Sequence, residues 1–393
     1  MSRIDELLAG HCPGGVEVRA LGEIAELVRG NGMPRTMLTD SGVGAIHYGQ
    51  IYTRYGAWAT STFSFVSPED AVRLTKADPG DVIVTNTSEN LEDVGKAVAW
   101  LGDAQIVTGG HATVIKHQLE PKFLAYWFQS PSFYAQKKAL ATGTKVIDIS
   151  ARQLAKVLIP VPPSQIQQEI VRALDKFTQL EAELEAELEV RRRQFEHYRS
   201  KIVQNSQLGD ALSLREIESR DIVKLGRGKV ISKTDLAANP GDYPVYSSSG
   251  ANTGEFGRYG HYMFDDERIT WSVDGGGRFF YRHPHRFSVT NVSGWMTIDP
   301  AVLRVKYLYY VLTVQWEMQK FDYTRKAHPS VIRDVYQVAI PALDEQDKVI
   351  AQLGAFDQLV NDLTSGLPAE IAARRKQYEY YRDKLLTFEE SAA

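Results

Sequence analysis

The sequence predicts an α+β (mixed α/β) chain: two globular domains, each followed by a long helix, the two helices pairing as an antiparallel coiled coil with a pseudo-two-fold internal repeat. Three observations predict this. A thirteen-residue phrase occurs twice, RRRQFEHYRSKIV from Arg191 to Val203 and RRKQYEYYRDKLL from Arg374 to Leu386, with seven identical positions. Each copy ends a longer match that starts at an Ile-Pro junction: IPVPPSQIQQEIVRALDKFTQL from Ile159 and IPALDEQDKVIAQLGAFDQL from Ile340, about 180 residues apart. That period far exceeds the roughly 20–50 residues of a solenoid unit, so it reads as duplication of a domain with its helix. The segments ahead of the helices alternate short β-type runs with turn residues, the pattern of compact mixed domains.

In chain order the organisation is a first globular domain at 1–156, a helical region at 157–207, a second globular domain at 208–338 and a second helical region at 339–393. DVIVTN and ATVIKH read as strands of the first domain, and FLAYWFQSPSFYAQKKAL as helical. The first long helix carries apolar residues three and four apart at Leu174, Phe177, Leu184, Leu188, Phe195, Tyr198 and Ile202, a heptad-type seam. At 1.5 Å per residue, about 40 residues span roughly 60 Å. In the second domain YPVYSSSG, RITWSVDGGG, RFFYRHP and FSVTNVSGWMTI read as strands and turns, and LYYVLTVQWEMQKF as a helix. The second seam begins at Phe356, Leu359 and Leu363, is interrupted by Ser365-Gly366-Leu367-Pro368, and resumes at Ile371, Tyr378, Tyr381 and Leu385. Gly and Pro end a helix, hence the expected break. Two like helices and two unlike heads suggest helices that meet a repeated partner and heads that read two different things.

Bulk properties narrow the class. The chain has 393 residues, 43% hydrophobic and 10% aromatic, enough for real cores in several domains. No apolar run approaches the roughly 20 residues of a membrane helix. The opening MSRIDELLAGHCPGG lacks a signal-peptide core, and Cys12 is the single cysteine, so the expectation is a cytoplasmic protein without a disulfide framework. The net charge of −4 does not by itself favour a polyanion. Local fields matter more: residues 208–338 hold 17 Lys/Arg against 15 Asp/Glu, and residues 339–393 hold 6 against 10.

Catalytic patterns are mostly decoys. Asp40-Ser41-Gly42-Val43-Gly44 lacks the preceding strand and following βαβ unit of a cofactor loop and reads as a turn. Asn239-Pro240-Gly241-Asp242 lacks the aromatic of an amino-methyltransferase loop. His283-Pro284-His285 has no companion ligands at metal spacing. Neither a phosphate loop nor a nuclease set stands out, so no catalytic residue and no metal ligand is assigned. Polar side chains on Gly-rich turns suit contact with base edges and phosphates instead. The candidates in the first half are Arg29, Asn31, Arg35, Tyr48, Gln50, Tyr52, Arg54, Asn86, Ser88, His111, Thr144 and Lys145. In the second half they are Arg227, Lys229, Lys233, Ser248, Ser249, Asn252, Trp271, Arg278, Asn291, Lys326 and His328. Each could equally be a solvated turn residue, and a Trp is more often core than contact. Gly275, Gly276 and Gly277 suggest a tight turn.

These features together resemble the DNA-specificity (S) subunit of type I restriction-modification systems, over almost the whole chain. The resemblance rests on CPGGVEVRALGEI leading to Arg29-Gly30, on VKLGRGKVISKTDL, GDYPVYSSSGANTGEFG, ITWSVDGGG and FSVTNVSG, on the two Ile-Pro junctions, and on GLPAEIAARRKQYEYYRDKLL. One departure is that the first helix lacks the Gly-Pro break of the second. The resemblance implies two target-recognition domains, each reading one half of a bipartite site in double-stranded DNA, with the helices setting the spacer. It implies two methyltransferase (modification) subunits that bind S-adenosylmethionine and flip and methylate adenines, motor-nuclease (restriction) subunits for cleavage, no cofactor in this chain and no membrane. The alternative is a structural coiled-coil or scaffold protein without DNA readout.

Overall fold

In a computed structural model the described residues are 3–248, 253–321, 325–362 and 365–391. They form two compact units, Met1–Glu183 with Ile371–Ala393, and Leu184–Glu370.

The first unit is built on a five-stranded sheet in the order Ala25–Arg29, Ala112–His117, Val82–Thr85, Ala97–Trp100, Trp58–Ala59. The VIVT and AVAW runs are buried at every position because both sheet faces are covered. Side chains alternate between the faces. Val82, Val84, Ala97 and Ala99 face the helix Pro121–Trp127, whose Phe123, Leu124 and Trp127 are fully buried. Ile83, Val98 and Val114 face Ile46, Ile51 and Ile106 instead. A second sheet runs Ser64–Val66, Val43–Ile46, Ile106–Thr108, Thr75–Ala77. The predicted helical stretch at 123–140 is two helices, Pro121–Trp127 and Pro131–Leu140. Ser130 accepts a hydrogen bond from Phe133 N and Pro131 takes the first turn, so the sequence SP marks the restart.

The second unit repeats the plan with other residues. Its four-stranded antiparallel sheet runs Val223–Arg227, Ser293–Ile298, Arg268–Ser272, Phe279–Arg282. Beside it lie Glu255–Tyr259, Tyr243–Tyr246 and Ser288–Val289. The helix Val305–Glu317 packs on the strand Phe279–Arg282, and Trp271, Tyr307, Tyr310 and Tyr336 are the largest fully buried side chains of this unit. The run FSVTNVSGWMTI, continuous in sequence, is two strands separated by Thr290-Asn291-Val292.

The first long helix is unbroken from Ser164 to Ser206, and the second is split into Leu343–Asn361 and Leu367–Leu385, as the Gly-Pro break predicts. Each Ile-Pro junction is locked by a buried glutamine. Gln167 accepts from Glu120 N at 2.8 Å and donates to Pro162 O at 2.7 Å. Gln346 accepts from Arg304 N at 2.7 Å and donates to Pro341 O and Val302 O. The helical segments pair by exchange between repeats. In the first unit the ring of Phe177 stacks on Tyr381 at 5.2 Å, and Arg375 bonds Glu181 at 2.5 Å, an antiparallel arrangement. In the second unit Phe356 meets Phe195 at 5.5 Å and Tyr198 at 6.5 Å. Phe356 stands in its repeat where Phe177 stands in the first, and Tyr198 where Tyr381 stands.

The predicted seam needs correction in phase. Leu174, Leu188, Phe195 and Ile371 are buried, and Phe177, Leu184, Ile202, Phe356, Tyr378 and Leu385 are half-buried. Tyr198 is 53% exposed, Leu359 41% and Tyr381 37%, while Val203, Val360 and Leu386 are buried in their place. Leu363 lies outside the described residues. A straight helix drifts about 20° per heptad from a strict 3.5-residue repeat. The buried Ile166 and Ile170 also pack into the first unit's core, so the covered face is wider than a two-helix seam. Tyr381 lays its ring face on Phe177, and Tyr198 meets Phe356 at a tilt of 49°.

Candidate nucleic-acid interface

The first unit gathers six candidates around one cleft. It has a volume of about 1050 Å³, and its lining includes Arg35, Tyr48, Gln50, Tyr52, Arg54 and His111. The helix Tyr48–Thr53 supplies three of them, Tyr48, Gln50 and Tyr52, and Arg54 follows its end. His47 caps it by accepting from Gly49 N, and Gln50 closes a reciprocal capping box onto His47 N. The Tyr48 ring lies 4.5 Å from His47 and 4.9 Å from His111, and Arg54 stands 5.6 Å above Phe63. Burial, with the nearby charges of His111 and Arg35, holds the His47 imidazole below its ordinary range. His47, Phe63 and Ser64 line the cleft without having been singled out in the sequence. The capping position of His47 ahead of Tyr48 was the available signal.

Some candidates have a different place. Gln50 uses both ends of its amide, accepting from His47 N and donating to Ser64 Oγ at 2.6 Å, so it braces the cleft wall. Asn86 is wholly buried, donating to Ile149 O and accepting from Thr113 Oγ1, and Ser88 is also buried. Both are removed from surface contact, because the turn after the apolar run DVIVTN folds inward against a neighbouring strand. Asn31 is exposed, but its amide donates to Arg73 O at 3.0 Å. Thr144 and Lys145 are exposed on the loop before the strand Ile147–Asp148, away from the cleft lining.

In the second unit Trp271 is 1% exposed and donates to Ala327 O at 2.8 Å, with Gly294 against its ring. It is core. Ser272 Oγ donates to Ser248 O and accepts from Gly275 N, tying the triple-glycine turn to the Ser248 segment. Gly276 and Gly277 have positive φ of 86° and 75°, as a tight turn requires. Lys326 pairs with Asp274 at 3.1 Å, and His328 precedes the helix Pro329–Val335. Lys229 and Arg278 are exposed, Arg278 reaching over Phe280 at 5.3 Å, and Lys233 starts the exposed helix Lys233–Ala238. Ser249 and Asn252 lie outside the described residues. Arg282, not singled out in the sequence, is buried 3.5 Å from Tyr246 and bonds Thr270 Oγ1 and Thr253 O; burial lowers its guanidinium to about 10.

The two units share one local device. Arg29 ends the strand Ala25–Arg29 and donates to Gly110 O at 3.4 Å. Arg227 ends the strand Val223–Arg227 and donates twice to Asn291 O, at 3.0 and 2.6 Å. The next residue is glycine in both. A Cβ on Gly30 would lie 1.9 Å from Gly109 O, and on Gly228 2.2 Å from Val289 O.

The chain matches the family model of the type I restriction modification DNA specificity domain twice, over residues 13–190 and 215–373. It belongs to that family. Among its relatives is a putative type I specificity subunit of Mycoplasma pneumoniae, 35% identical over 236 residues, covering 58% of this chain and 92% of the relative. The specificity subunit of the Escherichia coli type I restriction enzyme EcoR124I/EcoR124II is 28% identical over 297 residues, covering 68% of this chain and 70% of that one. A chain from a structure of complex assembly in the type I R-M system superposes with a TM-score of 0.59 at 17% identity, covering 95% and 98%. The specificity-subunit family and the mixed α/β fold expected from the sequence both stand. Among the described residues no helix is long and apolar enough to cross a membrane, and no group of three or more His, Cys, Asp or Glu is placed to hold a metal.

Proposed function

We propose that this specificity subunit reads a bipartite site in double-stranded DNA, one half with each globular head, as part of a type I restriction-modification complex in the cytoplasm. The helical regions set the spacing of the half-sites and dock two methyltransferase subunits, and motor-nuclease subunits join for cleavage. Adenine methylation and its S-adenosylmethionine belong to the methyltransferase partner, and this chain makes and breaks no bonds. The observation that carries the reading is the cleft of the first unit. Arg35 and Arg54 offer planar donors to phosphates and base edges, and Tyr48, Tyr52 and His111 offer hydroxyl and imidazole groups from one aromatic cluster. The family match over both heads supports a second reading surface of different chemistry.

The test is duplex binding by the chain with its methyltransferase partner, using a randomised pool at about 50 mM and about 200 mM salt. The expected result is an enriched two-part sequence, with affinity falling steeply as salt rises. Equal binding of all duplexes at both salts would refute the reading.

A further inference from the structure

The device shared by the two heads reaches further than a common fold element. The strand Ala112–His117 pairs with Ala25–Arg29 on one side and Val82–Thr85 on the other; Ser293–Ile298 pairs in the same way with Val223–Arg227 and Arg268–Ser272. Ahead of each lies a short strand in a parallel pair, Ile106–Thr108 with Val43–Ile46 and Ser288–Val289 with Tyr243–Tyr246. The connecting segments are both three residues long: Gly109-Gly110-His111 and Thr290-Asn291-Val292.

These turns share three features of their backbone bonding. Gly30 N donates to Ala112 O, and Gly228 N to Ser293 O. Asn31 bridges to Gly109, and Lys229 to Thr290. Asn86 N donates to His111 O, and Val273 N to Val292 O. The arginine of each head grips the carbonyl of the middle residue, Gly110 or Asn291. A glycine after each arginine lets the turn come this close. What differs is the side chain displayed. The first turn shows only an imidazole, exposed, tilted against Tyr48 at 4.9 Å and anchored through Nδ1 to Thr87 Oγ1 at 3.0 Å. The second shows a half-exposed carboxamide one position earlier.

Resting on the DNA-reading function above, we infer that His111 and Asn291 are specificity-determining side chains carried on one shared turn, and that Arg29 and Arg227 are positioning residues that hold it. A carboxamide complements the paired donor and acceptor of an adenine edge in the major groove; an imidazole nitrogen makes a single bond to a base edge there. Because Arg29 Nε and Arg227 Nε and Nη2 are turned onto the carbonyl of the turn, the arginines fix where the reader stands.

The test is mapping of methylated adenines in cells carrying the complete system with the wild-type chain, N291A, H111A or R227Q. N291A should blur one base position of one half-site and leave the other half-site sharp. H111A should blur one position of the opposite half-site. R227Q should blur the same position as N291A and no other, a readout that general damage to the head would not give. In competition between duplexes differing at that base, N291A should lose about tenfold or more discrimination while keeping its affinity for unrelated duplex, which shows that it is folded. A motif equally sharp for N291A, H111A and wild type would overturn the inference and leave the DNA-reading function standing, as would an R227Q pattern blurred across the whole half-site. Absence of any bipartite motif with the wild-type chain would overturn the function itself.

Discussion

The two heads differ where they display side chains and agree where they hold backbone. The first gathers its polar groups on a capped helix, Tyr48–Thr53, beside a cleft. In the second, the carbonyls of Ser248 and Thr253, which follow the matching strand Tyr243–Tyr246, accept hydrogen bonds from Ser272 and Arg282. Below these surfaces the heads converge, even where the sequences disagree. Lys122 and Tyr126 on the helix of the first unit both bond Asp175, at 2.7 and 2.8 Å. Lys306 and Tyr310 on the matching helix meet Asp357, at 3.7 and 3.4 Å. Yet Asp175 aligns with Gly354 of the second repeat, and Asp357 with Thr178 of the first. The carboxylate has moved by about one helical turn, three residues, and still finds the same pair, since residues three apart share a helix face. The contact recurs in both repeats although the position that supplies it differs.

This comparison can be broken at three places. The largest effect is expected at the junction glutamines. Gln346→Leu strands three hydrogen-bonding backbone groups and Gln167→Leu strands two, so losses of about 3–4 and about 2–3 kcal/mol are expected in denaturant unfolding. A larger loss for Gln167→Leu would show that the two junctions are not built alike. Next come the carboxylates. Asp175→Asn should cost about 1–2 kcal/mol, and Asp357→Asn about half that, because its partners stand farther off. Equal costs would mean that distance does not separate the two latches. The smallest effect concerns acid. His47 and His117 in the first unit are held below the ordinary histidine value of 6.5 by burial. The unfolded chain therefore takes up protons first as pH falls. The stability present above about 6.5 is lost through the window below it, down to the folded-state values. His47→Gln should flatten that acid limb, measured as the unfolding midpoint against pH; an unchanged limb would assign it to His117 alone.

Much of this was legible in the sequence, for identifiable reasons. Repeats, junctions and breaks are local patterns, so the doubled phrase, the Ile-Pro entries and the Gly-Pro interruption each found their element. The strand runs DVIVTN and RITWSVDGGG did too, because β-branched and aromatic residues bounded by turn residues mark them. What stayed hidden depends on distant partners. Nothing beside Asn86 announces that Thr113 and Ile149 close around it. Gln50 reads as a reader until Ser64 is brought to its amide. The seam slipped from Leu359 to Val360 and from Leu385 to Leu386 because the heads, as well as the opposing helix, cover the helical surface. FSVTNVSGWMTI conceals the break at Thr290–Val292, since a three-residue turn made of strand-forming and polar residues carries no Gly or Pro to mark it.

The exchange of helical segments has a bearing on how the protein is made. The first unit contains Phe177 but also its stacking partner Tyr381, and Val16 N is bonded to Glu389 O. On the ribosome, residues up to Glu183 emerge early, yet they are completed only by residues 371–391, after the whole second unit has appeared. The second unit, which lies within one uninterrupted stretch, can close while the first still waits. Birth order and finishing order are thus reversed, and a ribosome that stalls near residue 370 would release a chain whose younger head is whole and whose older head is not.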